Sequence, residues 1–461
     1  MEVSEAALRT LSRKRRPQPE NESSMSLPET TSETAAPPSN RAALLIVFLV
    51  VFIDLLGFGI VLPLLPRIAE TYVERVLGAG RPEATGAVIG LLMSSFSFMQ
   101  FLFSPMWGRI SDRAGRKPIL LVGLAGSVIF YALFGYALSL DAVTSATLAL
   151  TLFFIARIGA GFFGATIATA QAVIADSTPP EKRKHGMALI GAAFGIGFTF
   201  GPLIGYVALI TDRLDSIGYT AAGLSLLALI LGVILLPETR RFDTEPPHKR
   251  GWIDFSALRS VVTSRAVGPV ILTFFLATLG FGSFEVTLAL LLKDALAFQL
   301  QETLLVFAYV GLVLVIAQGF FYRRLAKRVS EATFIQWGII LMGAGIGALG
   351  AMTYGAYVRQ QEGQFPVPLL PLLYFGTTAA VFGFAFLTPS TNALISRRTD
   401  PNRQGEILGV NQSAASMARI LGPVLGVTAY KLTADHLLPY AVGAAILLLM
   451  LPMTPWIRRE G

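Results

Sequence analysis

Twelve long apolar runs, spaced along most of the chain, leave this sequence very few folds. They cover roughly 42–65, 86–107, 118–139, 147–170, 187–210, 217–236, 267–292, 304–321, 333–354, 369–390, 407–430 and 437–456. Most hold about 20 or more residues, the length at which a helix crosses a hydrocarbon core. A helix of a soluble bundle keeps a polar stripe, whereas these runs are apolar nearly all round. Only 14% of residues are charged, too few to cover a soluble domain of this size. The expected fold is an all-α membrane protein: twelve transmembrane helices in two pseudo-symmetric six-helix bundles.

The net charge of +8 invites a nucleic-acid reading, but its placement argues otherwise. With alternating loops, 28 of the 37 Lys and Arg residues fall on the side that holds both termini. Seven fall on the other side, and Arg157 and Arg419 lie inside helices. This asymmetry predicts both termini in the cytoplasm of a multi-pass protein of a cell (inner) membrane, with no nucleic acid as partner. A eukaryotic membrane is the open alternative. The chain has no cysteine, so disulfides and thiolate chemistry are excluded. His185, His248 and His436 stand far apart, and neither a metal site nor a cofactor is expected. There is no phosphate-binding Gly-x-x-x-x-Gly-Lys loop, no His-Glu-x-x-His and no nucleophile elbow, so neither an ATP-driven pump nor an enzyme is expected.

The chain divides into a cytoplasmic tail (1–40, rich in Ser, Thr, Pro and Glu and expected to be disordered), a six-helix unit (41–236), a central cytoplasmic loop (237–266), a second six-helix unit (267–457) and a short tail (458–461). The basic cluster Arg13–Arg16 either touches anionic lipid heads or simply marks the cytoplasmic side. The two units repeat each other. Leu56-Gly-Phe-Gly59 recurs at Leu279–Gly282, Gly161-Phe-x-x-x-Thr166-x-x-Thr169 at Gly383–Thr391, and Gly201-Pro-x-x-Gly205 at Gly422–Gly426. A six-plus-six repeat places a substrate site near mid-membrane, between the halves.

Function is expected where the repeat breaks. Asp54, Arg157, Glu285 and Arg419 lie inside spans, and their counterparts are Ala277, Ala379, Leu62 and Phe198. Each costs about 2.5–3.5 kcal/mol at the bilayer centre on insertion scales. Two readings follow. Asp54 pairs with Arg157 and Glu285 with Arg419 as static struts, or the carboxylates take up protons or a cationic substrate. Proton and substrate competing for one carboxylate is the simplest basis of antiport. The uncharged polar residues Gln100, Gln171, Gln318, Asn392, Asn411 and Gln412 either bind substrate or cross-link helices; Gln171 and Asn411 join the candidate site. Gly345-Ile-Gly-Ala-Leu-Gly350 sits mid-span without a preceding strand and is expected to be a helix-packing face.

Several segments carry a family resemblance. Gly108-Arg-Ile-Ser-Asp-Arg-Ala-Gly-Arg-Lys117 resembles the Gly-x-x-x-Asp-Arg-x-Gly-Arg-Lys loop between helices two and three of the major facilitator superfamily. Asp54–Pro66 is similar to the helix-1 motif of that family's tetracycline-resistance branch of drug:proton antiporters. Arg157-Ile-Gly-Ala-Gly161 resembles the helix-4 motif, Ile174-Ala-Asp176 with Glu181-Lys-Arg183 the end of that helix, and Gly197-x-x-x-Gly201-Pro202-x-x-Gly205 the antiporter motif of helix 5, with Tyr206 where the pattern has a second Gly. The helix-7 segment Gly282–Leu288 instead resembles eukaryotic tetracycline-transporter-like proteins, which are linked to organic anions.

The resemblance implies a secondary transporter that exports amphipathic, tetracycline-like molecules in exchange for protons. The alternative within transport is an organic-anion or metabolite carrier without proton coupling. From another class, a receptor or assembly factor that moves nothing would be expected to carry a large sensor domain. A small molecule, protons and lipid are the expected partners of a monomer. Gating is implied for Gly108, Asp112, Arg113, Gly115, Arg116, Asp176 and Arg183, with Asp112 capping helix 11 near Gly405–Ile407. Gly-rich helices 5 and 11 are expected to form the sliding interface.

Overall fold

A computed structural model describes residues 41–78, 80–178, 183–239, 264, 266–362, 368–399 and 404–455. The Arg13–Arg16 cluster lies outside them. Lipid offers backbone groups no hydrogen-bond partner, so a spanning segment must satisfy its own ladder. All regular structure among the described residues is accordingly helical.

Twelve stretches cross the long axis: α1 (Arg41–Val61), α2 (Pro82–Ala114), α3 (Arg116–Ser139), α4 (Ala146–Phe163, continued by Ile167–Asp176), α5 (Arg183–Ala208), α6 (Asp215–Leu235), α7 (Gly268–Leu296), α8 (Leu300–Ile316, continued to Arg323–Leu325), α9 (Glu331–Glu362), α10 (Leu369–Arg397), α11 (Gln404–Leu432) and α12 (Leu438–Leu449). Nine described helices are long and apolar enough to cross a membrane. The long α11 is not among them; it carries Asn411, Gln412, Ser413, Ser416 and Arg419. Below, the near end is where α1 starts and the far end is where it stops.

The helices depart from the apolar runs in four places. Residues 108–114, expected to form most of a polar loop, extend α2 for two further turns. Only Gly115 leaves helical geometry, at φ 102°, where glycine meets no steric penalty. The first run stops at a turn over 62–64. A separate helix, Leu65–Leu77, follows with its apolar face buried at the far end. The fourth run kinks through a 3-10 turn at Gly164–Thr166, and the eighth widens into a π-helical turn at Ala317–Tyr322. Side chains of α2 satisfy carbonyls at the first kink: Gln100 donates to Gly164 O at 3.1 Å and Trp107 to Phe162 O at 2.8 Å.

Packing reproduces the sequence repeat. In the first half α1 meets α5 through Gly59 and Gly201; a Cβ built on Gly201 would lie 2.8 Å from Gly59 Cα. In the second half α7 meets α11 in the same way, and a Cβ on Gly422 would lie 3.0 Å from Leu279 O. Small residues let the backbones approach, which matters where lipid supplies no hydrophobic drive between helices. Gly345 likewise packs on α10, against Gly376 and Ala380.

The halves meet where α2 lies on α11 and α5 on α8. Helices 5 and 11 thus lie on the interface between halves, as expected, but their motif glycines do not make it. Gly197, Gly201 and Gly422 pack inside their own halves, and only Gly205 also reaches Leu304 of α8. The close contacts between halves come instead from Gly86 and Gly90 of α2, set against α11 from Pro423 to Thr428, and from Gly311 of α8, set against Phe198 and Thr199. Ser94, one turn beyond Gly90, donates its hydroxyl to Ile420 O on the same seam.

Candidate transport site

A cavity of about 870 Å³ lies between the halves. Asp54, Arg157, Glu285 and Arg419 all line it, so four residues scattered over 366 positions of sequence share one chamber. The rest of its wall is mostly apolar, with aromatic side chains from both halves. Phe281 and Phe384 stack with centroids 4.0 Å apart, and Phe58 and Phe96 lie 5.0 Å apart across from them in the first half.

Neither static pair is formed among the described residues. Asp54 accepts a hydrogen bond from Ser225 Oγ at 3.2 Å and another from Ser127, not from Arg157. The Arg157 guanidinium is 3% exposed and lies over Phe96, 4.6 Å from the ring centroid, with Phe58 at 5.9 Å. Its Nη2 reaches Met93 O at 3.5 Å, while Nε and Nη1 meet no protein acceptor. Tyr131, which sequence reasoning passed over, lies close enough to both Asp54 and Arg157 to feel their charges. Glu285 and Arg419 also sense each other, but no contact within 4 Å joins them. Arg419 faces the cavity, with Nη2 bonded to Ser416 Oγ at 3.1 Å.

Gln171 lines the near part of the cavity. Asn411 does not line it: it is 1% exposed and donates to Asn392 Oδ1 at 2.9 Å. Its neighbour Gln412 faces the cavity instead, and Gln318 reaches it from the π-helical turn.

Two charge clusters flank the chamber. At the near end, buried Arg116 bonds Ser111 Oγ at 2.7 Å and pairs with Asp112 at 2.6 Å and Asp176 at 3.2 Å. Arg113 is exposed, and a Cβ on Gly108 would meet nothing within 4 Å. Glu238 is an unforeseen member: its carboxylate accepts from the Arg116 and Lys117 backbone N–H groups at 2.9 and 3.1 Å. It crowds Gly115, where a Cβ would lie 2.5 Å from Glu238 Oε2. The side chains of Arg183 and of residues 405–406, expected here, lie outside the described residues.

At the far end the halves are tied together. Arg67, on the Leu65–Leu77 helix, donates to Phe298 O at 2.5 Å; three residues on, Glu70 binds both Lys293 of α7 and Lys431 of α11. Gln301 donates to Leu209 O at 3.1 Å. Burial pushes the Glu70 carboxyl up, but the two ammonium groups outweigh it and hold the group below its ordinary value.

The family model described as Major Facilitator Superfamily matches residues 47–423. The chain belongs to the major facilitator superfamily. Among the relatives of this major facilitator protein, the tetracycline resistance protein, class C, of Escherichia coli is 30% identical, covering 89% of this chain and 96% of that one. Major facilitator superfamily domain-containing protein 10 of Bos taurus is 27% identical, covering 88% and 90%. Among solved structures, the D-xylose-proton symporter matches with a TM-score of 0.71 at 16% identity, over 91% of this chain and 99% of that one. The human organic anion transporter MFSD10 (TETRAN) matches with a TM-score of 0.64 at 24% identity, over 90% and 100%. These two structures speak for the fold alone: the twelve helices form the major facilitator fold.

Proposed function

We propose that this major facilitator protein is a proton-coupled secondary transporter that exports amphipathic small molecules by alternating access. The observation that carries this reading is the convergence of four ionisable residues, from both halves and without an ion-pair partner among the described residues, on one largely apolar cavity. A static strut needs a partner, and none of the four has an oppositely charged one within ion-pair distance among the described residues. A buried carboxylate that is solvated by hydroxyls, as Asp54 is, can be charged or neutral without rearranging a salt bridge. Asp54 and Glu285 are the residues for the proton or for a cationic group of the substrate. With both termini in the cytoplasm, the near end is the cytoplasmic one and the cavity loads from the cell interior. The Arg116 cluster would close that end in the opposite state. The tetracycline-resistance relatives support this reading.

One observation favours a second reading, an organic-anion carrier without proton coupling. Arg419 is the guanidinium most accessible from the cavity, and it suits an anionic group. The relationship to domain-containing protein 10 supports this reading.

Purified protein in proteoliposomes with a pH-sensitive dye separates the two. Tetracycline and a panel of organic cations and anions are added to wild type, Asp54→Asn and Glu285→Gln under an imposed pH gradient. Substrate-dependent proton flux that vanishes in one variant is expected. Substrate movement without proton flux, the same in all three proteins, would leave the second reading.

A further inference from the structure

At the far end one carboxylate is held by two lysines that belong to the other half of the molecule. Glu70 is 3% exposed, and Lys293 and Lys431 close on it from α7 and α11. The two lysines are not equivalent. Lys293 also lies 3.5 Å from Asp294, which in turn accepts from Tyr430 Oη at 3.0 Å and faces His436 Nε2 at 3.8 Å. Lys431, with a side chain only 11% exposed, has Glu70 as its sole carboxylate partner among the described residues.

Alternating access separates the halves at this end. This inference therefore rests on the transport reading above. When Glu70 leaves with the first half, Lys293 keeps Asp294, but Lys431 is left as a recessed ammonium without a counter-charge. Opened to water, that ammonium offers a preorganised charge-assisted site to an anion that replaces the lost one. The pocket has just held a carboxylate, so its shape and charge already fit one. Asp294 opposes a second negative charge but neutralises Lys293, which leaves a net demand for one anion.

We propose that Lys431, assisted by Lys293, is a carboxylate subsite at the far mouth of the transport path, which Glu70 plugs while that end is shut. Glu70 then acts as a tethered competitor. An organic anion arriving at the mouth takes its place on Lys431 and holds the far end open. Lys431 lies 12 residues beyond Arg419 on α11, about 18 Å along the helix axis. An anion leaving Arg419 would find Lys431 next on its way out.

The absence of cysteine lets two spin labels be placed without altering the rest of the chain. Val143, in the exposed far-end turn after α3, and Gln361, at the far end of α9, would each become cysteine. Label distances are measured in nanodiscs for the otherwise wild-type chain, Glu70→Gln, Lys431→Met and the double variant. Each is run with sodium benzoate, with benzamide as the uncharged isostere, and without either. Expected is a longer distance in Glu70→Gln whose population rises about fivefold with benzoate, and not with benzamide. That rise disappears when Lys431→Met is added. The unplugged chain should open at lower benzoate than the chain with Glu70 in place.

A long-distance population in Glu70→Gln that ignores benzoate would overturn the subsite and leave a mechanical latch. So would a benzoate response that survives Lys431→Met. One distance in every protein under every condition would sink alternating access itself. Monodisperse elution and a thermal midpoint for each variant establish that it is folded; Glu70→Asp, which keeps the charge, should restore the closed distance.

Discussion

At Gly201 there is no room for a methyl group, and the fold depends on that. A Cβ there would stand 2.8 Å from the Gly59 backbone and 3.0 Å from Leu56 O. Gly201→Ala should therefore force α1 and α5 apart and cost about 1–3 kcal/mol, read as a lower thermal midpoint in detergent. Gly108 belongs to an equally familiar motif but sits inside a helix with nothing within 4 Å of its Cβ position. Gly108→Ala should stabilise the helix by up to about 1 kcal/mol through helix propensity and raise the same midpoint. Glu70 gives a pH prediction with a definite sign. Its carboxyl is held below the ordinary value of 4.5, first against burial and then by Lys431 and Lys293. The contribution of the clamp is thus fully present above that value and is lost as pH falls through the depressed one. Label distances across the far end should stay short from neutral pH down to about 5 and lengthen only in stronger acid.

At the scale of elements, α3 begins on a borrowed cap. Arg116 and Lys117 offer free backbone N–H groups, and the Glu238 carboxylate accepts both. Glu238→Ala should cost about 0.5–2 kcal/mol, the usual value of an N-cap, and should loosen the turn at Gly115; hydrogen exchange over 115–120 would report it. This cap was not legible in the sequence, because 122 residues separate Arg116 from Glu238 and neither motif nor period links them. The spans were legible, since about 20 apolar residues have few other uses, and so were the four ionisable residues, since each breaks the repeat. Their partners were not. Pairing Asp54 with Arg157 followed from charge alone, whereas Ser127 and Ser225 reach Asp54 from α3 and α6 across distances that only packing sets. Asn411 was preferred to Gln412 without knowledge of helix rotation, and one residue turns a side chain by about 100° around α11. Glu70 stayed hidden for a simpler reason: the Leu65–Leu77 helix read as a loop, and charges in loops carry topology and little else.

Taken whole, the molecule makes the charge of its cargo measurable without knowing its name. On the proposed reading a cationic substrate competes with protons for Glu285 and Asp54, so acidification should weaken its binding. On the second reading an anion beside Arg419 gains when Glu285 is protonated, so the same acidification should tighten it. Equilibrium binding in nanodiscs across a pH series decides which holds. The polar ties between halves described above lie at the far end or on the mid-membrane seam at Ser94. Such an arrangement makes the carrier unequal toward its two faces. If the far-open form is populated at about 1%, a ligand approaching from that side sees its affinity diluted about a hundredfold, while one approaching the near side does not. Gradients alone still fix where net movement stops. Half-saturation, however, would differ between the faces: the carrier would retrieve poorly at its far face what it readily picks up at its near one.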